Sequence, residues 1–133
     1  MKHSNDPVCS RCNQILSGAN TDIAYYVWVV RQEFPDAHVS CAYRGEAAQN
    51  EAYANGLSKK RWPDSKHNIR DKNGNPCSEA VDFFQITDGA AIWDKKFFSM
   101  IHGYLKSQNA PIRWGGTWEK FKDYPHFEMR KLV

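Results

Sequence analysis

The sequence contains no apolar run long enough to cross a membrane. Its longest such run, residues 23–30 (IAYYVWVV), falls far short of the roughly 20 residues that a membrane-spanning helix needs. The first residues (MKHSNDPVCSRC) lack the apolar segment of a secretory signal. We therefore expect a soluble protein that is made in the cytoplasm without a signal peptide and does not insert into membranes.

The chain also lacks a strong excess of either charge. Lysine and arginine number 18 against 15 acidic residues, which gives a formal net charge of +3. A mildly basic surface suits an anionic partner such as nucleic acid or bacterial cell wall, but it selects neither. With 133 residues, 41% of them hydrophobic, the chain is long enough for one packed core and short for two. We expect one domain.

Cysteine is scarce as well. Four cysteines are too few for a disulfide scaffold in a chain of this size, so reduced thiols are expected. The close spacing of Cys9 and Cys12 could begin a structural zinc site, for which Cys41 and Cys77 are the other candidate thiols. Because a second closely spaced pair is missing, free thiols are the favoured interpretation.

The predicted helices and strands follow one another in mixed order. Residues 1–19 are polar and are predicted to be an irregular lead-in to a domain over residues 20–133. Periodicity and turn residues predict helices at 20–34, 45–56 and 93–108, strands at 38–43, 79–86, 111–114 and 126–133, and a long loop at 57–76. This order favours an α+β fold with a small antiparallel sheet. The apolar face of the third helix is predicted to be core: Trp93, Phe97, Met100 and Tyr104.

Asp82 is unusual because it lies in an otherwise apolar strand (AVDFF), where an unpaired charge is costly. His67 in the preceding loop and His126 in the last strand are possible partners. Two histidines and a carboxylate make a three-ligand set that leaves a position open for water, as in catalytic zinc sites. A salt-bridged Asp82 with two surface histidines is the alternative. The remaining histidines are interpreted as solvated or capping residues: His3, His38 and His102.

Four motifs in order resemble the LAS group of zinc peptidases, which includes phage L-alanyl-D-glutamate endopeptidase endolysins and D-alanyl-D-alanine carboxypeptidases. They are the segments SCAYRGEAAQNEAYANGLSK, SKH, SEAVD and RWGGTWEKFKDYPHFE. Together they span about residues 38–128, whereas residues 1–19 lie outside the resemblance. The resemblance implies the fold and the chemistry of a zinc peptidase.

Carried over to this sequence, the resemblance implies that His67, Asp82 and His126 bind one catalytic zinc ion and that Asp123 is the general base. A carboxylate beside the open coordination position can take a proton from the attacking water and return it to the leaving amine. Glu128 is the rival for this role, because residues two apart share one face of a strand.

Other site residues are expected to contact the substrate. Arg44 is predicted to stabilise the oxyanion or to hold a substrate carboxylate. Ser65 is predicted to hydrogen-bond the substrate or a ligand residue. Trp114 and Trp118 flank the Gly-Gly pair and are predicted either to wall the substrate cleft or simply to pack.

The sequence departs from the family pattern between the first two ligands. His67 and Asp82 are 15 positions apart (82 − 67), where the family motif has seven, and Ser78 stands in place of its glycine. The extra residues (NIRDKNGNPC) are turn formers, which predicts a looped-out insertion that leaves both ligands in place. It leaves the shape of the substrate cleft open.

The function implied is hydrolysis of the peptidoglycan stem peptide, at the bond between L-alanine and D-glutamate. A monomeric phage endolysin, released through a pore made by another protein and without a nucleic-acid partner, fits the expected absence of a signal peptide. A D-alanyl-D-alanine carboxypeptidase or dipeptidase is the alternative. From another class, an HNH-type nuclease would also use a CxxC pair and a basic chain, but no second CxxC is present.

Overall fold

The computed structural model describes residues 2–130 and contains helices and strands in mixed order. The helices are α1 (Ser10–Leu16), α2 (Thr21–Glu33), α3 (Glu46–Ala54) and α4 (Lys95–Ser107). The strands are β1 (Ala37–Cys41), β2 (Ala80–Thr87), β3 (Ala90–Ile92), β4 (Ile112–Trp114) and β5 (His126–Met129). Short 3₁₀ turns occupy Lys66–Asn68 and Gly115–Thr117. The predicted α+β class is confirmed.

All strand pairs are antiparallel, and the sheet order is β1-β2-β5-β4 with β3 paired to the end of β2. The central strand β2 therefore has β1 on one side and β5 on the other. In this register Asp82 lies opposite Cys41 on β1 and opposite His126 on β5. The pairing of β2 with β5 thus places two of the predicted ligands side by side.

The apolar core lies between one face of the sheet and the helices α2 and α4. Val81 and Phe83 of β2 are almost fully buried, and they face Ile23 and Val27 of α2 and Leu105 of α4. Because side chains alternate along a strand, the residues next to them point to the opposite face. Asp82 therefore does not lie in the apolar core, although its sequence neighbours do.

The helix boundaries follow the predicted signals closely. Asn20 caps α2 by accepting a 2.8 Å hydrogen bond from the backbone N–H of Asp22, and the helix ends before Pro35. α3 begins after Gly45 and is followed by Gly56, whose φ of +75° is in the left-handed region that favours glycine. No helix in the described part of the chain has the length and apolarity to span a bilayer.

Two residues that were predicted to lie in the core are exposed in the structure. Phe97 of α4 is buried as expected, but Trp93 is 62% exposed and Met100 is 58% exposed. Trp93 precedes the helix, which begins only at Lys95 after the Asp94 cap. Its spacing from the helical residues therefore does not place it on their buried face. Residues 131–133 of the predicted last strand lie outside the described residues.

The polar segment expected to be irregular contains α1, which packs on β1. Its N-terminus is capped by the thiol of Cys9, and Cys12 is buried on its inner side. β3 was also missed, although Asp88 and Gly89 form a tight turn with φ of 52° and 78°. An Asp-Gly pair is a strong hairpin signal, so the sequence did contain the information.

The insertion between His67 and Asp82 forms a small ordered loop. Its ends meet in a bridge between Arg70 and Pro76, and the Asp71 carboxylate accepts hydrogen bonds from the backbone within the turn. Of the described residues, none in 69–77 lines the cleft reported below. Ser78, at the place of the motif glycine, is fully buried and donates a hydrogen bond to a backbone carbonyl.

Candidate active site

Three elements bring together His67, Asp82 and His126, which we name the cleft cluster. His67 lies in the first 3₁₀ turn, Asp82 on β2 and His126 at the start of β5. The Nε2 atom of His67 lies 3.3 Å from Asp82 Oδ1 and 3.2 Å from His126 Nδ1. His126 Nδ1 lies 3.4 Å from the same oxygen of Asp82. The three atoms form a nearly equilateral triangle.

Hydrogen bonds on the far side of each ring fix the two imidazoles. Nδ1 of His67 donates to the backbone oxygen of Ala42 at 2.7 Å, and Nε2 of His126 donates to Oε1 of Glu128 at 2.8 Å. In the neutral tautomers set by these bonds, the lone pairs of His67 Nε2 and His126 Nδ1 face the carboxylate of Asp82. Such outer hydrogen bonds to a carbonyl or a carboxylate are typical of metal-binding histidines.

The residues present fit a bound cation. Donors around a tetrahedral zinc ion lie roughly 3.3–3.5 Å apart when their bonds to the metal are near 2.0–2.2 Å. The distances within the cleft cluster fall in or near this range. With both histidines in these neutral tautomers, the buried Asp82 Oδ1 accepts no hydrogen bond from the described residues, and a cation between the three side chains would supply the missing partner.

The charges within the cluster also favour a cation. Burial opposes the charged form of His67, but the negative charge of Asp82 and a hydrogen bond to it raise the pKa of His67 to about 10. Burial likewise opposes the charge on His126, while hydrogen bonds to Asp82 and Glu128 raise its pKa. Burial acts against the Asp82 carboxylate, yet the two histidines hold its pKa well below the usual range. A metal ion must therefore displace protons from the cluster.

Asp123, the predicted general base, borders the same cleft. Burial, followed by the negative charge of Asp82, raises the pKa of the Asp123 carboxyl above its ordinary value. The backbone of Gly115 lies directly against it: a β-carbon there would come within 2.3 Å of the Asp123 carbonyl oxygen. The first glycine of the Gly-Gly pair therefore permits the position of Asp123.

Glu128, the rival base, is engaged elsewhere. Its carboxylate accepts hydrogen bonds from His126 and from Arg113, the latter at 2.7 Å, and it lies 3.6 Å from the ammonium of Lys66. Burial opposes its charge, but these partners lower the pKa of Glu128 to about 2. A carboxylate with this many partners orients His126 and is a weak proton acceptor.

Arg44 lies between the cluster and the wall of the cleft. It donates hydrogen bonds to Asp82 Oδ2 at 3.4 Å and to the side-chain oxygen of Gln49 at 3.1 Å. Gln49 is fully buried and in turn donates to the carbonyl oxygen of Lys60 at 2.6 Å. No signal in the sequence separates Gln49 from its neighbour Asn50 in this alanine-rich helix, so the role of Gln49 was missed. It links Arg44 to the loop that forms one wall of the cleft.

Ser65 is buried and caps the turn that carries His67. Its hydroxyl oxygen accepts a 3.1 Å hydrogen bond from the backbone N–H of His67, and its own N–H donates to the side chain of Asn68. Ser65 also borders the cleft. Its contact with a ligand residue is therefore made through the backbone of His67 and not through the imidazole ring.

Trp114 packs in the core and does not line the cleft, so the substrate-binding alternative for this residue is not supported. It is 8% exposed, stacks on Phe127 and donates from Nε1 to the carbonyl oxygen of Tyr124 at 2.7 Å. Because Trp114 belongs to the short strand β4, pairing with β5 places its ring over the core. Trp118 lines the cleft instead, with its ring centroid 5.1 Å from that of His126.

The cleft has a volume of about 540 Å³ and all three residues of the cleft cluster open into it. Basic side chains dominate its walls: Arg44, Lys59, Lys60, Lys66, Arg113 and Lys120. The acidic residues on the walls are Asp82 of the cleft cluster, Asp123 and the paired Glu128. The cleft therefore suits an anionic substrate of peptide size.

Comparison with known proteins agrees with this geometry. Residues 22–129 match a family model described as D-alanyl-D-alanine carboxypeptidase. The chain belongs to this family. The D-alanyl-D-alanine carboxypeptidase family match covers all the residues of the cleft cluster and Asp123, and the predicted family relationship is confirmed.

Two individual proteins are similar to this member of the family. It is 32% identical, over an alignment of 109 residues that covers 71% of this chain, to the peptidoglycan L-alanyl-D-glutamate endopeptidase CwlK of Bacillus subtilis (strain 168). The chain spans about 60% of the length of CwlK. The crystal structure of the Serratia marcescens L-Ala D-Glu endopeptidase ChiX superposes with a TM-score of 0.72 at 23% identity. That match covers 90% of this chain and 86% of ChiX, and it supports the fold.

Proposed function

We propose that the protein is a zinc peptidase that hydrolyses the stem peptide of bacterial peptidoglycan. The observation that carries this proposal is the cleft cluster, in which two imidazoles and one carboxylate converge at the floor of an anion-favouring cleft. Three nitrogen and oxygen ligands with an open side are typical of catalytic zinc sites, whereas structural sites are closed by four ligands.

In the proposed mechanism His67, Asp82 and His126 hold the zinc ion. A bound zinc ion supplies Lewis acidity toward a water molecule and the substrate carbonyl. Asp123 takes a proton from the attacking water and passes it to the leaving amine. The raised pKa of Asp123 suits this exchange, because a carboxylate of low basicity accepts a proton less readily.

Arg44 has two roles in this proposal. Its hydrogen bond to Asp82 Oδ2 orients the ligand carboxylate, and its position on the wall of the cleft allows its charge to act on the substrate. A guanidinium there can stabilise the negative charge that develops on the carbonyl oxygen or hold a substrate carboxylate. Gln49, which accepts a hydrogen bond from Arg44, positions the guanidinium.

We propose the bond between L-alanine and D-glutamate as the site of cleavage. The basic walls of the cleft suit the carboxylates that follow this bond in the stem peptide. The similarity to CwlK, an L-alanyl-D-glutamate endopeptidase, supports the same bond. Since the insertion 69–77 does not border the cleft, nothing in that loop narrows it to a dipeptide.

A D-alanyl-D-alanine carboxypeptidase is the second candidate, because the description of the family model names this activity, but the similarity to CwlK does not favour it. The two activities leave different products. Cleavage after L-alanine exposes a new amino-terminal D-glutamyl residue, whereas a carboxypeptidase releases free D-alanine. The match to a peptidase family gives no support to the HNH-type nuclease.

Digestion of purified peptidoglycan, with the products resolved by mass spectrometry, tests this proposal. We expect fragments with an amino-terminal D-glutamyl residue from the zinc-loaded protein and none from the Asp123→Asn variant. Release of D-alanine would transfer the protein to the second candidate. A zinc-loaded, folded protein that leaves both peptidoglycan and D-alanyl-D-alanine peptides intact would overturn the proposed function.

The lytic role of a monomeric phage endolysin is a further part of the proposal, and it rests on the motif resemblance. Added protein should lyse bacteria whose outer membrane has been permeabilised, with loss of turbidity as the readout. Size-exclusion chromatography with light scattering should give the mass of one chain, 15.3 kDa. Cleavage of purified peptidoglycan without lysis of permeabilised cells would argue for a role in wall turnover.

A further inference from the structure

A second group of metal-binding side chains lies outside the cleft. His3, Cys9, Cys12 and His38 form what we name the N-terminal cluster, and their donor atoms all lie within 4.8 Å of one another. His3 Nδ1 is 3.4 Å from the sulfur of Cys9 and 3.4 Å from the sulfur of Cys12. The sulfur of Cys12 lies 3.5 Å from Nδ1 of His38. These residues come from the N-terminal segment, α1 and β1.

We propose that the N-terminal cluster is a structural zinc site with two thiolate and two imidazole ligands. Zinc bonds of about 2.3 Å to sulfur and 2.0–2.1 Å to nitrogen place tetrahedral sulfur and nitrogen donors roughly 3.5 Å apart. The three sulfur-to-nitrogen distances match this value. Four ligands leave no position for water, so the site would stabilise the fold without taking part in peptide hydrolysis.

Hydrogen bonding between free thiols and histidines explains the same contacts less completely. Cys12 carries one thiol proton, yet its sulfur lies within 3.5 Å of nitrogens from both His3 and His38. The single lone pair of His3 Nδ1 faces both sulfur atoms. Two thiol protons can account for two of these three contacts, whereas one cation at the centre accounts for all three.

A hydrogen bond at Nε2 fixes the orientation of the His38 ring, as in known metal sites. Its Nε2 lies 2.5 Å from the side-chain oxygen of Asn5, which leaves Nδ1 directed at the thiols. The amide nitrogen of Asn5 donates to the Asp36 carboxylate at 3.0 Å and to the carbonyl oxygen of Ile86 at 3.1 Å. Outer hydrogen bonds of this kind set the tautomer of a ligand histidine.

The thiols are also supported by the backbone. The sulfur of Cys9 accepts hydrogen bonds from the backbone N–H groups of Ser4 and Cys12, both at 3.4 Å. Arg31 of α2 holds the segment in place through hydrogen bonds to the carbonyl oxygens of Ser4, Ala37, Pro7 and Pro35. Cys9, Cys12 and His38 are 0–1% exposed, so the site is closed to solvent on three sides.

The partners of the Cys9–Cys12 pair differ from those considered in the sequence. Cys41 lies beside His67 and Arg44, and Cys77 lies beside Asn20, so neither belongs to the N-terminal cluster. The ligands are histidines that were interpreted as solvated or capping. His38 was the more misleading of the two, because it is fully buried on β1.

A structural role follows from what the cluster connects. It joins residues 3–12 to β1, and β1 is paired with β2, which carries Asp82. In the sheet register His38 lies opposite Phe84, two positions from Asp82. Zinc in the N-terminal cluster would therefore anchor the first segment against the edge of the sheet that supports the active site.

Metal content of the full chain, purified under reducing conditions, gives the direct test. We expect two zinc ions per chain, one for each cluster, by inductively coupled plasma mass spectrometry. Cobalt substitution identifies the ligands, because only a cysteine-ligated cobalt ion has an intense sulfur charge-transfer band in the near ultraviolet. One zinc per chain with no such cobalt band would overturn the proposal.

Variants separate this site from the proposed peptidase site. Cys12→Ser and His3→Gln should each remove one zinc and the cobalt band and lower Tm, on the order of 10 °C for Cys12→Ser. His67→Ala should remove the other zinc and leave the cobalt band. Cys77→Ser is the matched control and should leave the zinc content and the cobalt band unchanged. Because His3 is only half-buried, His3→Gln keeps the test valid if Cys12→Ser does not fold.

Discussion

The cleft cluster and the N-terminal cluster differ in their donors and in their access to solvent. The cleft cluster offers two imidazoles and one carboxylate at the floor of an open cleft. The N-terminal cluster offers two thiols and two imidazoles, with both sulfur atoms buried. Three hard or borderline ligands with an open side suit a reactive zinc ion, whereas four ligands that include thiolates suit a structural one.

The same central strand pairs support both clusters, so the difference does not come from separate folding units. β1 carries His38, and its neighbour β2 carries Asp82. What distinguishes the two sites is the element that covers each. α1 and the N-terminal segment close over His38, while the cleft remains open above Asp82. Closure by a covering segment thus fits the proposed structural site, and the uncovered strand pair fits the proposed catalytic one.

The largest expected effect separates the two clusters completely. Asp82→Ala, His67→Ala or His126→Ala should each reduce peptidase activity to background. A zinc ion held by three side chains is not retained when one of them is removed. Each variant should lose the zinc of the cleft cluster and keep the cobalt band of the N-terminal cluster. Full activity with full metal content in any of the three would show that the residue is not a ligand.

The next effect concerns proton transfer without loss of metal. Asp123→Asn should lower turnover by about 10²-fold or more while both zinc ions stay bound, since the amide preserves shape but cannot accept a proton. Glu128→Gln is the matched control and should change turnover much less at saturating zinc. A dead Glu128→Gln variant beside an active Asp123→Asn variant would assign the base to Glu128.

The pH dependence of activity gives a second test of Asp123. Burial raises the pKa of Asp123, so the acidic limb of the activity profile should lie above the ordinary aspartate value. Activity should fall as the pH decreases through this pKa, because the protonated carboxyl cannot act as a base. The limb should be absent from the residual activity of Asp123→Asn. An unchanged limb in that variant would assign it to another group.

A smaller effect comes from the backbone beside Asp123. Gly115→Ala places a methyl group within 2.3 Å of the Asp123 carbonyl oxygen, so the carboxylate must shift. Turnover should fall by about 10-fold to 10²-fold, the range expected for a displaced catalytic group. Gly103→Ala in α4 is the matched control, because nothing lies within 4 Å of the added carbon. Equal turnover in the two variants would contradict the positioning role of Gly115.

The smallest effect distinguishes the two tryptophans near the cleft. Trp118→Ala should raise KM by roughly 10-fold or less with little change in Tm, since Trp118 lines the cleft. Trp114→Ala should instead lower Tm strongly, because a large buried side chain is lost. The free energy of unfolding should fall by about 3–5 kcal/mol, as for large aromatic residues in other cores. A stable Trp114→Ala variant with a raised KM would return Trp114 to the substrate site.

Local patterns in the sequence predicted the elements that carry the site. The apolar spacing and the Asn20 cap predicted α2, and the run AVDFF predicted β2. Gly45 and Gly56 predicted where α3 begins and ends. α1 was missed because its segment is short and mostly polar, and too few of its residues pack against the core to form a periodic pattern: Cys12, Ile15 and Leu16. Its stability depends on contacts with β1, which no local pattern contains.

The sequence by itself determined the proposed ligand set of the cleft cluster, since Asp82 is a charge within an apolar strand and the motifs pointed to its partners. Only the tertiary structure distinguished the two candidate carboxylates, because partners such as Arg113 reach Glu128 from other strands. It also decided that Cys9 and Cys12 meet histidines and not other cysteines. The physical reason is the same in each case: the chemistry of a side chain is local, but its partners are set by strand register and by the covering segments.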